Sequence, residues 1–128
     1  MAQNKILRID PVALAAGTYI TNIAFPSSAG GAGAVGYTAP ASYLVLRVVN
    51  IVNTTAGALT FRLHKTTIGG AAVAANSVIG WDTSIAAGAT FIWQGILLLN
   101  GSVAADYLVG GGSGAGLTFS AMGEVGLL

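Results

Sequence analysis

The chain has 128 residues, of which only 7% are charged, and a formal net charge of +1. Ordinary domains carry about 25% charged residues. The five basic residues are too thinly spread for a nucleic-acid-binding face, which needs a clustered basic patch. Without cysteine and with a single histidine, we expect no catalytic set, no metal centre and no cofactor, hence no enzyme. A loose calcium site formed by loop carboxylates stays open.

The mean hydropathy of +0.76 raises the question of a membrane span. Residues 83–105 are uncharged and as long as a spanning helix, which needs about 20 predominantly apolar residues. Glycine, glutamine and asparagine interrupt this stretch, and it alternates as a strand does, so we expect no membrane partner. Asp10 and Pro11 cut the first apolar run, which makes the N-terminus a poor signal peptide.

In chain order, the first predicted unit is an N-terminal arm, residues 1–16. Its short strand at 5–9 is ended by Pro11. The remaining residues, 17–128, are predicted to form one domain, because a chain of this length has room for a single core. That domain begins with a strand at 17–25.

The next segment, residues 26–40, is predicted to be an Ala/Gly/Ser-rich loop. It contains Gly31, Gly33 and Gly36 in the spacing G-x-G-x-x-G. A dinucleotide site needs a buried strand before this motif and a helix after it. Pro40 stands where the helix interior would be, so we predict no nucleotide site here.

The strongest predicted strand is residues 41–53. Strict alternation puts Tyr43, Arg47 and Val49 on one face, and both faces are apolar. Strands that are apolar on both faces are typically central and covered on both sides. The second cover is then either the facing sheet or a neighbouring subunit.

A turn at 53–57 leads to a strand at 58–65, and these two strands are predicted to form a hairpin. Within the second strand, alternation points Phe61 and Leu63 inward and His64 outward. We therefore expect His64 to be a surface imidazole.

After a loop or short helix at 66–77, strands are predicted at 77–85, 91–99, 105–111 and 117–127. About seven or eight short strands, with Gly, Asn and Pro turns between them, predict an all-β fold. We expect a single-domain antiparallel β-sandwich with Ala/Gly-rich loops and either jelly-roll or immunoglobulin-like topology.

The low charge also bears on assembly. A soluble monomer normally keeps about 25–35% charged residues on its surface, which this chain cannot supply. Its surface must consist largely of Ser, Thr, Asn, Gly and apolar atoms. We therefore expect neighbouring subunits to cover much of it.

Three successive stretches make up one pattern of strands and turns: YLVLRVVNIVNTTAGALTFRLHK, TSIAAGATFIWQGILLL and ADYLVGGGSGAGLTFSAMGEVGL. A V-x-N strand and a polar turn precede a T-F-R-L strand, an I-A-A-G-x-T turn leads into a paired strand, and a G-x-x-G/V strand ends the chain. In this pattern, residues 41–127 resemble small virion proteins of tailed bacteriophages.

The resemblance implies a β-sandwich that decorates or cements a phage capsid. Its partners would be the major capsid protein and copies of itself, as a trimer or another homo-oligomer. It would sit on the capsid surface of the virion after synthesis in the cytoplasm of the host bacterium. The resemblance brings no catalytic residues with it.

Candidate partner contacts lie first in the arm, which is predicted to add as a strand to a neighbour's sheet edge. Ile6, Leu7 and Ile9 would anchor it, while Lys5 and Arg8 would meet an acidic coat surface.

Further candidate contacts are Tyr43 and Arg47 on the central strand and Trp81, which stands beside Asp82. An exposed tryptophan also supports an alternative function. In that alternative the chain is a neck, tail, baseplate or fibre-tip domain that recognises host surface carbohydrate.

Overall fold

The computed structural model describes residues 3–19, 21–23, 42–66, 74–100 and 107–127. These residues form eight strands and one 3-10 turn at Ala74–Asn76. The strands are β1 Gln3–Ala13, β2 Thr21–Asn22, β3 Ser42–Asn53, β4 Leu59–Thr66, β5 Ser77–Ile85, β6 Thr90–Asn100, β7 Tyr107–Gly112 and β8 Leu117–Leu127. The all-β prediction is confirmed.

The strands form two four-stranded sheets, which we name sheet I (order β1-β8-β3-β6) and sheet II (order β2-β7-β4-β5). All pairings between these strands are antiparallel. The first strand pairs with the eighth, the second with the seventh, the third with the sixth and the fourth with the fifth. The chain is thus one long hairpin wrapped into two sheets, which is the jelly-roll arrangement of a β-sandwich.

The core lies between the two sheets. Its largest fully buried side chains are Phe61, Phe119, Ile9, Ile23, Leu46, Ile51, Leu63, Leu99 and Leu108. The rings of Phe61 on sheet II and Phe91 on sheet I pack with their centroids 4.9 Å apart at 56°. The inward orientation predicted for Phe61 and Leu63 is confirmed, because both side chains are fully buried. Aromatic and branched side chains at alternate positions supply the apolar area that holds the two sheets together.

The predicted hairpin between residues 41–53 and 58–65 is wrong. β3 pairs with β6 and β8, and β4 pairs with β5 and β7, so the chain crosses from sheet I to sheet II between them. The crossing is held by Asn53, which is fully buried. Its side-chain amide donates to the carbonyls of Gly57 at 2.8 Å and Ile85 at 3.0 Å, and its Oδ1 accepts from the Thr55 backbone at 2.9 Å.

Strict alternation along β3 is also wrong. The pairing register shifts between Leu46 and Val48, and relative to β8 this leaves Arg47 as an extra residue in a β-bulge. Toward β6 the extra residue belongs to β6, where both Gly95 and Ile96 lie between the partners of Leu46 and Val48. Because a bulge resets which side chains face inward, Leu46 and Val49 both lie in the core while Arg47 is exposed. The predicted central position of this strand is confirmed.

The N-terminal arm needs a correction. Gln3–Ala13 is not an appendage of a domain that starts at residue 17, because it pairs with β8 of the same chain along most of its length. Ile9, expected to anchor the arm on a neighbour, is 1% exposed and belongs to the core. A strand that fills the protein's own sheet and core is not available for strand addition elsewhere.

His64 needs a correction as well. It follows Leu63 and points away from the core, as alternation requires, yet it is fully buried. Both ring nitrogens lack a hydrogen-bond partner among the described residues. Because burial disfavours the charged imidazolium, the pKa of His64 is lowered from its ordinary value.

Several expectations fall outside the described residues. They concern the loop at 26–40 with its glycine motif, residues 20, 24 and 25 of the predicted strand at 17–25, and the loop at 67–73. The described part of that predicted strand is shorter than expected, because residues 17–18 form a turn and the strand is Thr21–Asn22. In the described part of the chain, no helix is long and apolar enough to cross a membrane.

Candidate functional site

The outer face of sheet I, which points away from the core, is the strongest candidate for an interaction surface. Its side chains can be followed across the strands by register. Ile6 pairs with Glu124, which pairs with Val45, which pairs with Leu98. The next outward row joins Arg8, Met122, Val48 and Gln94. Each row therefore runs unbroken from the β1 edge to the β6 edge.

This face carries the exposed large apolar side chains of the described residues. They are Ile6 (92% exposed), Ile96 (71%), Ile92 (60%), Leu98 (54%) and Met122 (49%). Single exposed apolar residues are ordinary, but a cluster on one face typically marks a contact surface. We call these five residues the apolar patch.

Charge on the outer face is sparse and weakly paired. Arg8 lies 3.1 Å from Asp10, and both side chains are about three-quarters exposed. Arg47, in the β3 bulge, lies 3.8 Å from Glu124. Exposed ion pairs of this kind contribute little to stability, so these arginines can exchange their partner for a carboxylate on another protein at small cost.

The β1–β8 register shifts between Ile9 and Val12, where β1 holds an extra residue. A shallow recess of about 280 Å³ opens beside this bulge on the same face. Its lining includes Arg8, Asp10, Pro11, Asn50, Ser120 and Met122. It has the dimensions to receive one or two side chains of a partner. Within the described ranges, no three His, Cys, Asp or Glu residues come together as metal ligands.

The structure brings some of the predicted contact residues together. Ile6, Arg8 and Arg47 share the outer face of sheet I. Ile9 lies in the core instead.

For three further candidates, only the backbone is described. Lys5 pairs with Val125, Leu7 with Gly123, and Tyr43 with Gly126 and Asn100.

Trp81 lies on sheet II in a cluster that the sequence did not indicate. The Arg62 guanidinium lies between the rings of Tyr19 and Trp81, 4.1 Å from each centroid. Arg62 Nε and Nη2 donate to the two carboxylate oxygens of Asp82 at 2.6 and 3.0 Å. This fork-to-fork pairing lowers the pKa of Asp82 and raises that of Arg62. We call these four residues the arginine clamp.

The backbone of the clamp takes conformations that few residues adopt. Asp82 is the extra residue of a β-bulge where the β4–β5 register shifts, and its φ of 51° lies in the left-handed region. Tyr19 has a φ of 53°. A Cβ on Gly111 would meet Tyr19 Cα at 2.5 Å, so glycine is required where the Tyr19 backbone crosses β7. The strain indicates a segment held in place by its surroundings.

The interacting groups of the arginine clamp are largely paired with one another. Arg62 presents both faces to aromatic rings and its edge to Asp82, which ties the crossing between β1 and β2 to strands β4 and β5. The ring face of Trp81 that covers Arg62 is occupied, whereas the Asp82 side chain is nearly half exposed. Tyr19 and Arg62 are 43 positions apart in the sequence, and no local pattern connects them.

Comparisons with known proteins leave the function open. No protein-family model matches the sequence, and no curated protein matches it. The fold is similar to a chain in "Structure of infectious bursal disease virus Gx strain", with a TM-score of 0.48 and 12% sequence identity. The similarity covers 98% of this chain and 32% of that one, so this chain spans about a third of its length.

Proposed function

We propose that the chain is a structural protein of a virus particle, a decoration or cement protein of a tailed phage head. In this role it binds the lattice of the major capsid protein through the outer face of sheet I. Three features support the proposal: the resemblance of residues 41–127 to small phage virion proteins, the 7% charge content, and the jelly-roll topology, which occurs in viral coat and lectin domains.

The apolar patch is the observation that carries the proposal. By exposed fraction, its five side chains amount to about three fully exposed ones, so burying them is worth roughly 5–10 kcal/mol. Association costs about 4–15 kcal/mol in lost translational and rotational freedom. One copy on one site would therefore bind weakly, and firm binding requires several contacts per copy, as a site at a junction of capsomers supplies.

The proposed mechanism is mechanical and uses no cofactor or catalytic group. A copy that spans two shell subunits buries apolar area against both. Pulling these subunits apart must expose that area again, which adds to the work of opening the shell. Arg8 and Arg47, held only by exposed pairs, would meet acidic groups of the shell and orient the copy.

Copy number tests this role. In a virus whose genome encodes this chain, quantitative mass spectrometry of purified particles should find it in hundreds of copies, with imaging placing it on the outer surface of the head. Its absence from purified particles would contradict the proposal. A handful of copies per particle would indicate a place in the neck, tail or fibre.

The alternative, a tail or fibre-tip domain that binds host carbohydrate, is favoured by the arginine clamp. Aromatic rings beside an accessible carboxylate can bind a sugar: the rings stack on it, and the carboxylate accepts hydrogen bonds from its hydroxyl groups. On a glycan array, binding that is lost with Trp81→Ala and retained with Met122→Lys would favour this alternative. The proposed shell protein should bind no glycan in either form.

A further inference from the structure

We propose that the free edge of β6 pairs antiparallel with β6 of a second copy of the chain, joining two copies of sheet I across a two-fold axis. This pairing is independent of the shell-binding role, because it follows from the chemistry of one strand edge. A strand edge offers unpaired backbone N–H and C=O groups to any matching strand.

The four sheet edges differ in how they are protected. β1 carries Lys5, Arg8, Asp10 and Pro11 on its length, and charges and proline are the usual devices that block an edge. β2 has only two residues. β5 is interrupted by the bulge at Asp82, whose left-handed φ bends the strand.

β6 has neither the charges nor the proline. Its one irregularity is an extra residue opposite Arg47, and the side chains of Ile92, Gln94, Ile96 and Leu98 are all exposed on either side of it. It is 11 residues long, TFIWQGILLLN, without a charged residue or a proline. Among the described strands it pairs only with β3, so no described strand covers its other edge. Ile92, Ile96 and Leu98 stand exposed along it. Long, uncharged and apolar edges of this kind pair with other strands unless something covers them.

A second copy is the partner that fits. It presents the same uncharged edge, so no like charges meet, and a two-fold axis makes one surface complementary to itself. With Gly95, the midpoint of the strand, on the axis, all 11 residues overlap. Ile92 then lies opposite Leu98 of the other copy, and Gln94 lies opposite Ile96, so exposed apolar side chains meet on the outer face.

The size of the contact sets the strength to expect. Eleven residues span about 37 Å, and a sheet is about 10 Å deep, giving roughly 370 Å² on each copy. Stable complexes bury about 800 Å² per partner. The pair should therefore form reversibly at high protein concentration and become firm only where an assembly holds the copies together.

Sedimentation equilibrium of the purified full chain tests the pairing, at concentrations up to about 1 mM, where weak complexes are populated. We expect a monomer–dimer equilibrium. Ile96→Lys should weaken it at least about tenfold, because the two introduced lysines, one from each copy, would stand diagonally across the axis about 7–8 Å apart and repel each other. Ile6→Lys is the matched control: it replaces an even more exposed isoleucine at the opposite edge of the same face and should leave the equilibrium unchanged.

Hydrogen exchange distinguishes edge pairing from packing of two faces. Backbone amides of residues 92–98 should exchange more slowly as the concentration rises, and those of β1 should not. A chain that stays monomeric throughout, or a dimer weakened equally by both substitutions, would overturn the inference. The assay contains no virus particle, so its failure leaves the shell-binding proposal intact.

Discussion

Replacing Asn53 by alanine tests how the two sheets are joined. Asn53 is fully buried at the crossing from β3 to β4. Its amide bonds the carbonyls of Gly57 and Ile85, and its Oδ1 accepts from both the backbone N–H and the hydroxyl of Thr55. The same side chain therefore fixes the crossing and ties it to the end of β5.

The size of the effect follows from these bonds. Each is worth about 0.5–1.5 kcal/mol net, and an acceptor left buried without a partner costs about 1–3 kcal/mol. Water can reach Gly57 and Thr55 once the side chain is gone, because both lie in the exposed turn, whereas the Ile85 bond is buried. We expect Asn53→Ala to lower the free energy of unfolding by about 3 kcal/mol.

Urea unfolding followed by tryptophan fluorescence measures this change. Asn50→Ala is the control, because Asn50 lies half-buried on the outer face of the same strand and should change the stability by less than about 0.5 kcal/mol. Asn53→Asp, which keeps the acceptor but loses both donors, should destabilise at least as much as alanine. A loss below about 1 kcal/mol for Asn53→Ala, or one equal to that of the control, would refute the role given to this side chain.

Three further predictions concern other parts of the fold. Deleting residues 1–10 should unfold the domain or lower its free energy of unfolding by more than about 3 kcal/mol, because it removes most of β1 and the core side chain of Ile9. If the truncated chain kept the original urea midpoint, residues 1–10 would be a dispensable arm and not part of the domain. The unfolding free energy should be constant above the ordinary His64 pKa of 6.5 and fall as the pH drops below it, because the unfolded chain binds the proton more readily than the buried imidazole. His64→Leu should flatten that dependence between about pH 7 and 5, and an unchanged slope would show that other groups cause it. Gly111→Ala should destabilise by about 1–3 kcal/mol and alter Trp81 fluorescence by displacing Tyr19; Gly57→Ala, in an open turn, is its control.

The strands could be predicted from the sequence because their signals are local. Alternation and turn residues placed six of the eight strands with similar bounds. The exceptions are β1, which continues from Gln3 to Ala13 through the proline expected to end it, and β2, which is Thr21–Asn22. The inward faces of Phe61 and Leu63 on β4 also followed from the sequence, because β4 pairs with β7 without a register shift.

The sheet topology and much of the candidate site depend on contacts between distant residues. Nothing local to Asn53 shows that its partner is Ile85, so a turn that joins two sheets looks like a hairpin turn. The bulge at Arg47 changes which side chains face outward, and alternation cannot anticipate it. Likewise, Arg62 meets Tyr19 only because the fold brings the crossing between β1 and β2 onto β4.

Binding to the shell of the particle tests the central claim most directly. Shells that lack the chain would be titrated with the wild type, with Met122→Lys and with Ala115→Lys, which adds the same charge at an exposed turn away from the outer face. Met122 lies mid-sheet on that face, so burying a lysine there should weaken binding about 100-fold or more, while Ala115→Lys should occupy the shell as the wild type does. Equal occupancy by all three forms would contradict the claim that this face is what the chain buries.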